Sequence, residues 1–217
     1  MSVLLVAAKK GKIGDYVGVI AQAGRTPVVV DVDAFALQNA YEVNYGLEPG
    51  QVVVLLNAGA SAINVNILHG DQSVFTRDIS MGGNAYTEAV QKELDLPYEV
   101  AEELKKGTPV DGATFEDAKP VLRAVTETVL LEIQKTFDFY KASAASDQIN
   151  RIVVSGGASR VDEFRELLQQ RFGTPVEAFD PFRTVSWDEK SLGAPPSDAA
   201  ASAAVAVGLA LRRVGDR

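Results

Sequence analysis

Two short runs combine residue types and spacings that suit a phosphorylated ligand. In Asn57-Ala58-Gly59-Ala60-Ser61, the glycine lets backbone N–H groups come close to an anion, and the serine adds a hydroxyl donor. In Ser155-Gly156-Gly157-Ala158-Ser159-Arg160, two residues without side chains leave room for a flat group against the backbone. A helix following that run would turn its positive N-terminus toward negative charge. Each run also has a plainer use, as a hairpin whose glycine only satisfies turn geometry and as a tight strand-to-helix turn. The residues of either run alone leave both uses open.

Other candidates are weaker taken one at a time. Glu102 and Lys105, three apart on an expected helix, read as a surface ion pair. Gly82-Gly83-Asn84 follows an expected strand, and Asn84 suits a helix N-cap. Asp31 and Asp33 precede a helix and suit the same role. His69, the single histidine, sits beside the Gly70-Asp71 turn and reads as exposed and unrelated to a metal. The pairs Lys9-Lys10 and Lys105-Lys106 read as solvated surface.

Composition narrows the classes of function. A chain of 217 residues, 47% hydrophobic and 23% charged, is large enough to bury a full core. A formal net charge of −8 argues against a nucleic-acid backbone as partner, which calls for clustered Lys and Arg. The absence of cysteine removes thiolate nucleophiles, cysteine zinc sites and disulfides. No apolar run reaches the roughly 18 residues of a membrane span, and MSVLLVAAKKGK lacks a basic leader, so a chain without direct membrane insertion is expected.

The elements that would position these residues alternate in kind. Residues 3 to 8 read as a strand, 12 to 23 as a helix with Ile13, Val17 and Ile20 on one face, and 27 to 31 as a second strand, which gives a βαβ-like opening. A helix is predicted over 34 to 45. Strands at 51 to 57, 62 to 69 and 72 to 79 then form a meander reversing at Ala58-Gly59 and Gly70-Asp71. Helices follow from Asn84 to about Leu94 and from Pro97 to Lys106. A long helix from about Phe115 to Ser143 carries Val121, Val125, Val129, Ile133, Phe137 and Tyr140 as one stripe. Ile152-Val153-Val154 reads as a buried strand, and Val161, Phe164, Leu168 and Phe172 mark the helix after it. The segment from 180 to 197, with Trp187, reads as a mobile loop. A last, alanine-rich helix is predicted from Ser197-Asp198 to Arg212-Arg213.

Three antiparallel strands, then helices, then a buried strand ending in Gly-Gly and a further helix, is the order of one half of a ribonuclease-H-like α/β domain. Actin-like proteins duplicate that unit, and in it both candidate turns face one cleft. The runs VDVDAFALQNAYEVNY, QVVVLLNAGASAINVNIL, VFTRDISMGGNAYTEAVQKEL, AEELKKG, IVVSGGASRVDEF and AVAVGLALRR resemble, in that order, the PilM family of type IV pilus proteins, and more distantly FtsA.

That resemblance implies an actin-like ATPase fold and assigns roles. Residues 1–33 would close the small inserted subdomain, 34–50 form a connecting helix of the first half, 51–196 form the second half, and 197–217 form the C-terminal connecting helix. Asn57, Gly59, Ala60 and Ser61 would be the second phosphate loop. Gly156, Gly157, Ala158 and Arg160 would be the adenosine motif, Glu102 and Lys105 would touch ribose and base, and Gly82 and Gly83 would lie beside the cleft. The ligand implied is ATP or ADP with magnesium in the complete protein. The implied role is a cytoplasmic adaptor at the inner membrane that holds the tail of a PilN-like membrane protein, beside other platform and motor proteins, with self-association as a further contact. Rival roles are an FtsA-like cell-division filament, expected to end in an amphipathic tail that Val214-Gly215-Asp216-Arg217 does not resemble, and an active kinase of the same superfamily, for which no acidic base stands out.

The chain departs from the family pattern in three ways. Asn57 replaces the aspartate that opens this loop in nucleotide-hydrolysing relatives, and Ile63 falls where a threonine is usual. A neutral amide cannot be the anionic partner of a magnesium-bound water, so binding without turnover is expected. No first phosphate loop is found, so the chain is expected to be a natural short relative or a piece starting inside the inserted subdomain. Weak or absent ATP binding by this chain alone, and poor capture of the partner tail, follow as expectations.

Overall fold

A parallel pair of buried strands organises the molecule. The computed structural model describes residues 5–143, 148–185, 188, 190, 193 and 200–215. Strand β1 (Val52–Ala58) is buried along nearly its whole length, as a strand covered on both faces must be. On one side it pairs antiparallel with β2 (Ile63–His69), which pairs antiparallel with β3 (Gln72–Ile79). On the other side it pairs parallel with β4 (Arg151–Ser155), and β4 with β5 (Val176–Ala178). The sheet order is therefore β3-β2-β1-β4-β5. The predicted meander is present, with both ends of its first strand and the start of its second shifted by one residue, and β5 is a strand that sequence patterning did not reveal.

Helices cover both faces of the sheet. Two helices, α1 (Lys10–Gln22) and α2 (Asp33–Tyr45), precede it. Next come α3 (Gly83–Leu94), α4 (Tyr98–Lys105) and α5 (Phe115–Ser143) between β3 and β4, then α6 (Phe164–Phe172) and finally α7 (Ala200–Leu211). Val54, Leu56, Val65 and Ile67 face a core built with Tyr86, Val90, Leu104, Leu122, Ile133, Phe137 and Phe164 from α3 to α6. Val53, Leu55, Leu68 and Val153 face the other way, against Leu37, Ala40 and Tyr41 of α2 and Ala204 of α7. The stripe of α5 runs through Leu122, Val129, Ile133, Phe137 and Tyr140, while the predicted Val121 and Val125 lie half-buried at its side.

Four expectations about the elements need correction. Residues 5–8 have no regular structure, with 1–4 outside the described residues, and 27–31 is extended but belongs to no strand. The βαβ-like opening is therefore not formed: an extended segment becomes a strand only when a neighbour completes its ladder, and among the described residues nothing pairs with it. Asn84 is not an N-cap. Gly82 holds that position, and the first turn of α3 is capped by carbonyls of another loop. Val32, not either aspartate, is the N-cap of α2, and its amide is met by the Asp31 carboxylate.

The expected loop at 180–197 begins as a fastened segment. The Asp180 amide donates to the Tyr45 hydroxyl, the Thr184 amide donates to Asn44 Oδ1, and Arg183 sits over the Tyr45 ring. Trp187 and the predicted start of the last helix at Ser197-Asp198 lie outside the described residues, and α7 ends at Leu211, just before the arginine pair.

Candidate functional site

The strand order reverses between β1 and β4, whose connections run to opposite edges of the sheet. Open α/β sheets hold ligands in the crevice at such a point, beyond the carboxyl ends of the parallel strands. Here those ends are Ala58 and Ser155, each followed at once by one of the two candidate turns.

The turns are held together by backbone packing that only glycine permits. Gly156 has φ +85°, and a Cβ there would lie 2.2 Å from the Ala58 carbonyl oxygen. A Cβ at Gly82 would lie 2.5 Å from the carbonyl oxygen of Gly59. That approach lets the turn cap a helix. The Gly83 amide donates to the Gly59 carbonyl at 2.9 Å, and the Asn84 amide donates to the Ala60 carbonyl at 2.8 Å. The Gly59 amide is spent inside its own turn, on the carbonyls of Asn57 and Ala62. On the other side, the Gly156 amide donates to the Ala201 carbonyl at 2.7 Å, which brings the start of α7 against the Gly-Gly bend.

A cavity of about 720 Å³ opens between these parts. Its wall includes Asn57, Gly59, Ala60, Gly83, Glu102, Lys105, Gly156, Gly157, Ala158 and Arg160, so the reversal near Gly59 and the bend at Gly156-Gly157 do meet in one crevice. Two predicted residues stand outside the lining: Ser61 is in the exposed part of the turn, and Gly82 is buried behind it as a packing glycine.

Lys105 is not the solvated lysine its sequence neighbourhood suggests. Its side chain is 11% exposed. The ammonium donates to Glu102 Oε2 at 2.5 Å, to Thr87 Oγ1 at 2.9 Å and to the Gly83 carbonyl at 3.2 Å. Thr87 in turn donates to Glu102 Oε2. Burial pushes the Glu102 carboxyl up, but the hydrogen bonds from Lys105 and Thr87 outweigh it and hold the group below the ordinary glutamate range. The ion pair therefore fastens α4 to the start of α3, at the cleft wall.

Sequence reasoning missed Lys106, Val161, Ser202 and Val205 as lining residues, and read Asp33, which also lines the cavity, chiefly as a helix cap. Asp33 carried a signal, as an acid at a helix start. Ser202 and Val205 sit in an alanine-rich stretch whose composition shows only close helix packing.

The chain fits known architectures over nearly its whole length. The family of type IV pilus assembly protein PilM matches residues 1–214. The structure of a PilM-PilN type IV pilus biogenesis complex contains a chain 26% identical to this one, with a TM-score of 0.80, over 94% of this chain and 58% of that one. Ethanolamine utilization protein EutJ from Carboxydothermus hydrogenoformans is 18% identical with a TM-score of 0.64, over 95% of this chain and 62% of that one. MreB 5 of Spiroplasma citri, bound to AMPPNP, is 14% identical with a TM-score of 0.66, over 94% and 65%. Among curated proteins, the chaperone protein HscA homolog of Tolumonas auensis is 25% identical over 185 residues, which is 68% of this chain and 29% of that protein. The chain thus spans little more than half of the PilM structure it matches and under a third of that chaperone. Together the sheet order and these likenesses make this an actin-like ATPase fold, and the chain belongs to the family of type IV pilus assembly protein PilM.

Proposed function

We propose that this chain supplies one wall of a nucleotide cleft, and that the complete protein is an adaptor of type IV pilus assembly on the cytoplasmic side of the inner membrane. The observation that carries the reading is the single cavity into which the phosphate-type turn, the Gly-Gly bend and the Glu102–Lys105 pair converge at the sheet's switch point. The turn at 57–61 takes phosphate oxygens, and among the described residues the amides of Ala60 and Ser61 make no hydrogen bond. Gly156-Gly157 takes the flat adenosine part. A side chain at Gly157 would meet only Ser202 Oγ, at 3.8 Å, so its face is open to a ring. Glu102 and Lys105 meet the ribose or base, and Arg160 lines the same cavity. On this reading 1–33 ends an inserted subdomain, 34–50 and 197–217 connect the two halves, and 51–196 is the second half.

The nucleotide is ATP or ADP. The residues present fit its organic and phosphate parts, but not magnesium: Asn57 is neutral, and Glu102 is taken by two lysines and a threonine. The adaptor role rests on family membership and on the likeness to a PilM chain solved with PilN. Through it the protein would hold the tail of a PilN-like partner, meet other platform and motor proteins, and self-associate. Among the described residues no helix is long and apolar enough to cross a membrane, which agrees with recruitment through a partner.

Calorimetry tests the cleft. With ADP, this chain is expected to bind weakly, and a chain extended to the full length of the PilM relatives to bind at least about tenfold more tightly. Equal affinities would show that the described half is not one wall of a shared site. A pull-down on an immobilised PilN-like tail tests the adaptor role, with capture expected for the extended chain. If the extended chain fails to capture the tail, the adaptor reading is lost.

A further inference from the structure

At the cleft end of the sheet, four residues from four adjacent strands stand side by side. Ser155 is opposite Asn57, Asn57 is opposite Asn64, and Asn64 is opposite Asp78. Their side chains are joined in one direction. Asn64 Nδ2 donates to Asp78 Oδ1 at 2.8 Å, and Asn57 Nδ2 donates to Asn64 Oδ1 at 3.0 Å. The Ser155 hydroxyl lies 3.3 Å from Asn57 Oδ1 and 3.4 Å from the Leu56 carbonyl.

That direction has a cause at its far end. An ionised aspartate only accepts, so Asp78 draws the amino group of Asn64. The oxygen of Asn64 must then face Asn57, and the amino group of Asn57 must face Asn64. Asn57 consequently reaches the cleft as a fixed, neutral amide whose oxygen already neighbours the Ser155 hydroxyl. The one carboxylate of the row stands on edge strand β3, outside the cavity lining.

Magnesium binds through hard, mostly anionic oxygens and keeps several waters that carboxylates must hold. The cleft offers little of this. Glu102 is engaged by Lys105, Lys106 and Thr87, which leaves Asp33 as the other carboxylate in the lining. Among the described residues, no group of three or more His, Cys, Asp and Glu is placed to hold a metal ion. Lys105, Lys106 and Arg160 bring positive charge to the same wall.

Resting on the nucleotide reading above, we propose that this cleft seats the phosphates of its ligand without a divalent cation, and that the row sets this by keeping its carboxylate at Asp78 and an amide at Asn57. The row also shows how to reverse the arrangement. Asn57→Asp alone leaves Asn64 between two acceptors, and neither orientation of its amide satisfies both. Adding Asp78→Asn lets the row run the other way: the new amide at 78 donates to Asn64, and Asn64 donates to the new carboxylate at 57. The double variant keeps composition and net charge while moving the carboxylate into the cleft.

The test uses the ¹⁵N-labelled chain and follows the amide signals of Gly59, Ala60 and Gly157 and the side-chain amide of Asn57. ADP is added first in chelator, then in magnesium, with manganese afterwards as a paramagnetic probe. ADP is expected to shift the three backbone amides in chelator, excess magnesium to weaken the apparent affinity by drawing free ADP into its magnesium complex, and manganese to spare Asn57. In Asn57→Asp/Asp78→Asn, magnesium is expected to tighten ADP by about tenfold or more, with manganese broadening residues around 57. Shifts in the parent chain that need magnesium, or manganese broadening at Asn57, would overturn the proposal and leave the nucleotide reading standing. No shift under either condition, in this chain and in the chain extended to the full length of the PilM relatives alike, overturns both. A folded double variant that gains no metal dependence overturns the role given to the carboxylate's position.

Discussion

Asn57 shows how far a residue's chemistry follows from its type and how far from its neighbours. Its identity alone says that the turn at 57–61 lacks an acid, but what an acid there would meet is set by Asn64 and Asp78, residues that carried no signal until the strand register placed them in one row. A stability cycle measures that coupling. In urea unfolding, Asn57→Asp is expected to cost about 1 kcal/mol, and Asp78→Asn in the same chain to recover most of it. Additive losses would show that the two positions do not communicate. Glu102 supplies a second measurement. Its carboxyl is held below the ordinary glutamate range, so its contribution is present in full above the ordinary value and is lost as pH falls through the lower folded value. Glu102→Gln should therefore flatten the acid limb of stability against pH, and an unchanged limb would mean that the tie between α3 and α4 contributes little.

At the scale of elements, long periodic segments were legible because their pattern and their burial have one cause. The stripe of α5 and the unbroken apolar run of β1 each answer directly to a packed partner. The two segments that failed, 5–8 and 27–31, had strand-like composition and, among the described residues, no neighbour to complete the ladder. Composition proposes an extended chain, and only pairing makes it a strand. The start of α3 failed for a related reason, since its cap comes from the carbonyls of Gly59 and Ala60, more than twenty residues earlier in the chain. Close approach between helices was equally hidden. An added Cβ at Gly208 of α7 would lie 1.7 Å from the Ala36 carbonyl oxygen of α2, so these helices cross where one has no side chain. Gly208→Ala is expected to cost about 3 kcal/mol in denaturant unfolding by forcing α2 and α7 apart. Because Ser202 and Val205 of α7 line the cavity, the variant should also weaken ADP binding more than its distance from the ligand suggests. A variant as stable as the parent would mean that the crossing relaxes without strain.

The whole molecule has a packed body and a bare extension. The cleft was readable from the order of the elements, because both candidate turns follow the carboxyl ends of the central parallel strands, and that geometry brings them together whatever the details of their contacts. How residues 5–32 lie against the body was not readable. No residue of α1 is buried, and the extended segment after it alternates, with Val28 70% exposed and Val30 63% exposed while Val29 and Asp31 turn inward. Asp31 anchors the end of this extension at 2.6 Å to Arg212, the residue just past the end of α7, which sets the valine ridge in place beside the body. A fixed apolar ridge on an unpaired extended segment invites another strand along its edge. The chain on its own is therefore expected to associate with rising concentration in sedimentation equilibrium, and Val28→Lys/Val30→Lys to shift it to monomer, because two like charges brought edge to edge repel where the valines would have been covered. Asp31→Asn, which loosens the anchor without changing the ridge, should weaken association by less. If the lysine variant associates as strongly as the parent, contacts between copies run through another surface, and the ridge is an apolar strip that two copies leave in water.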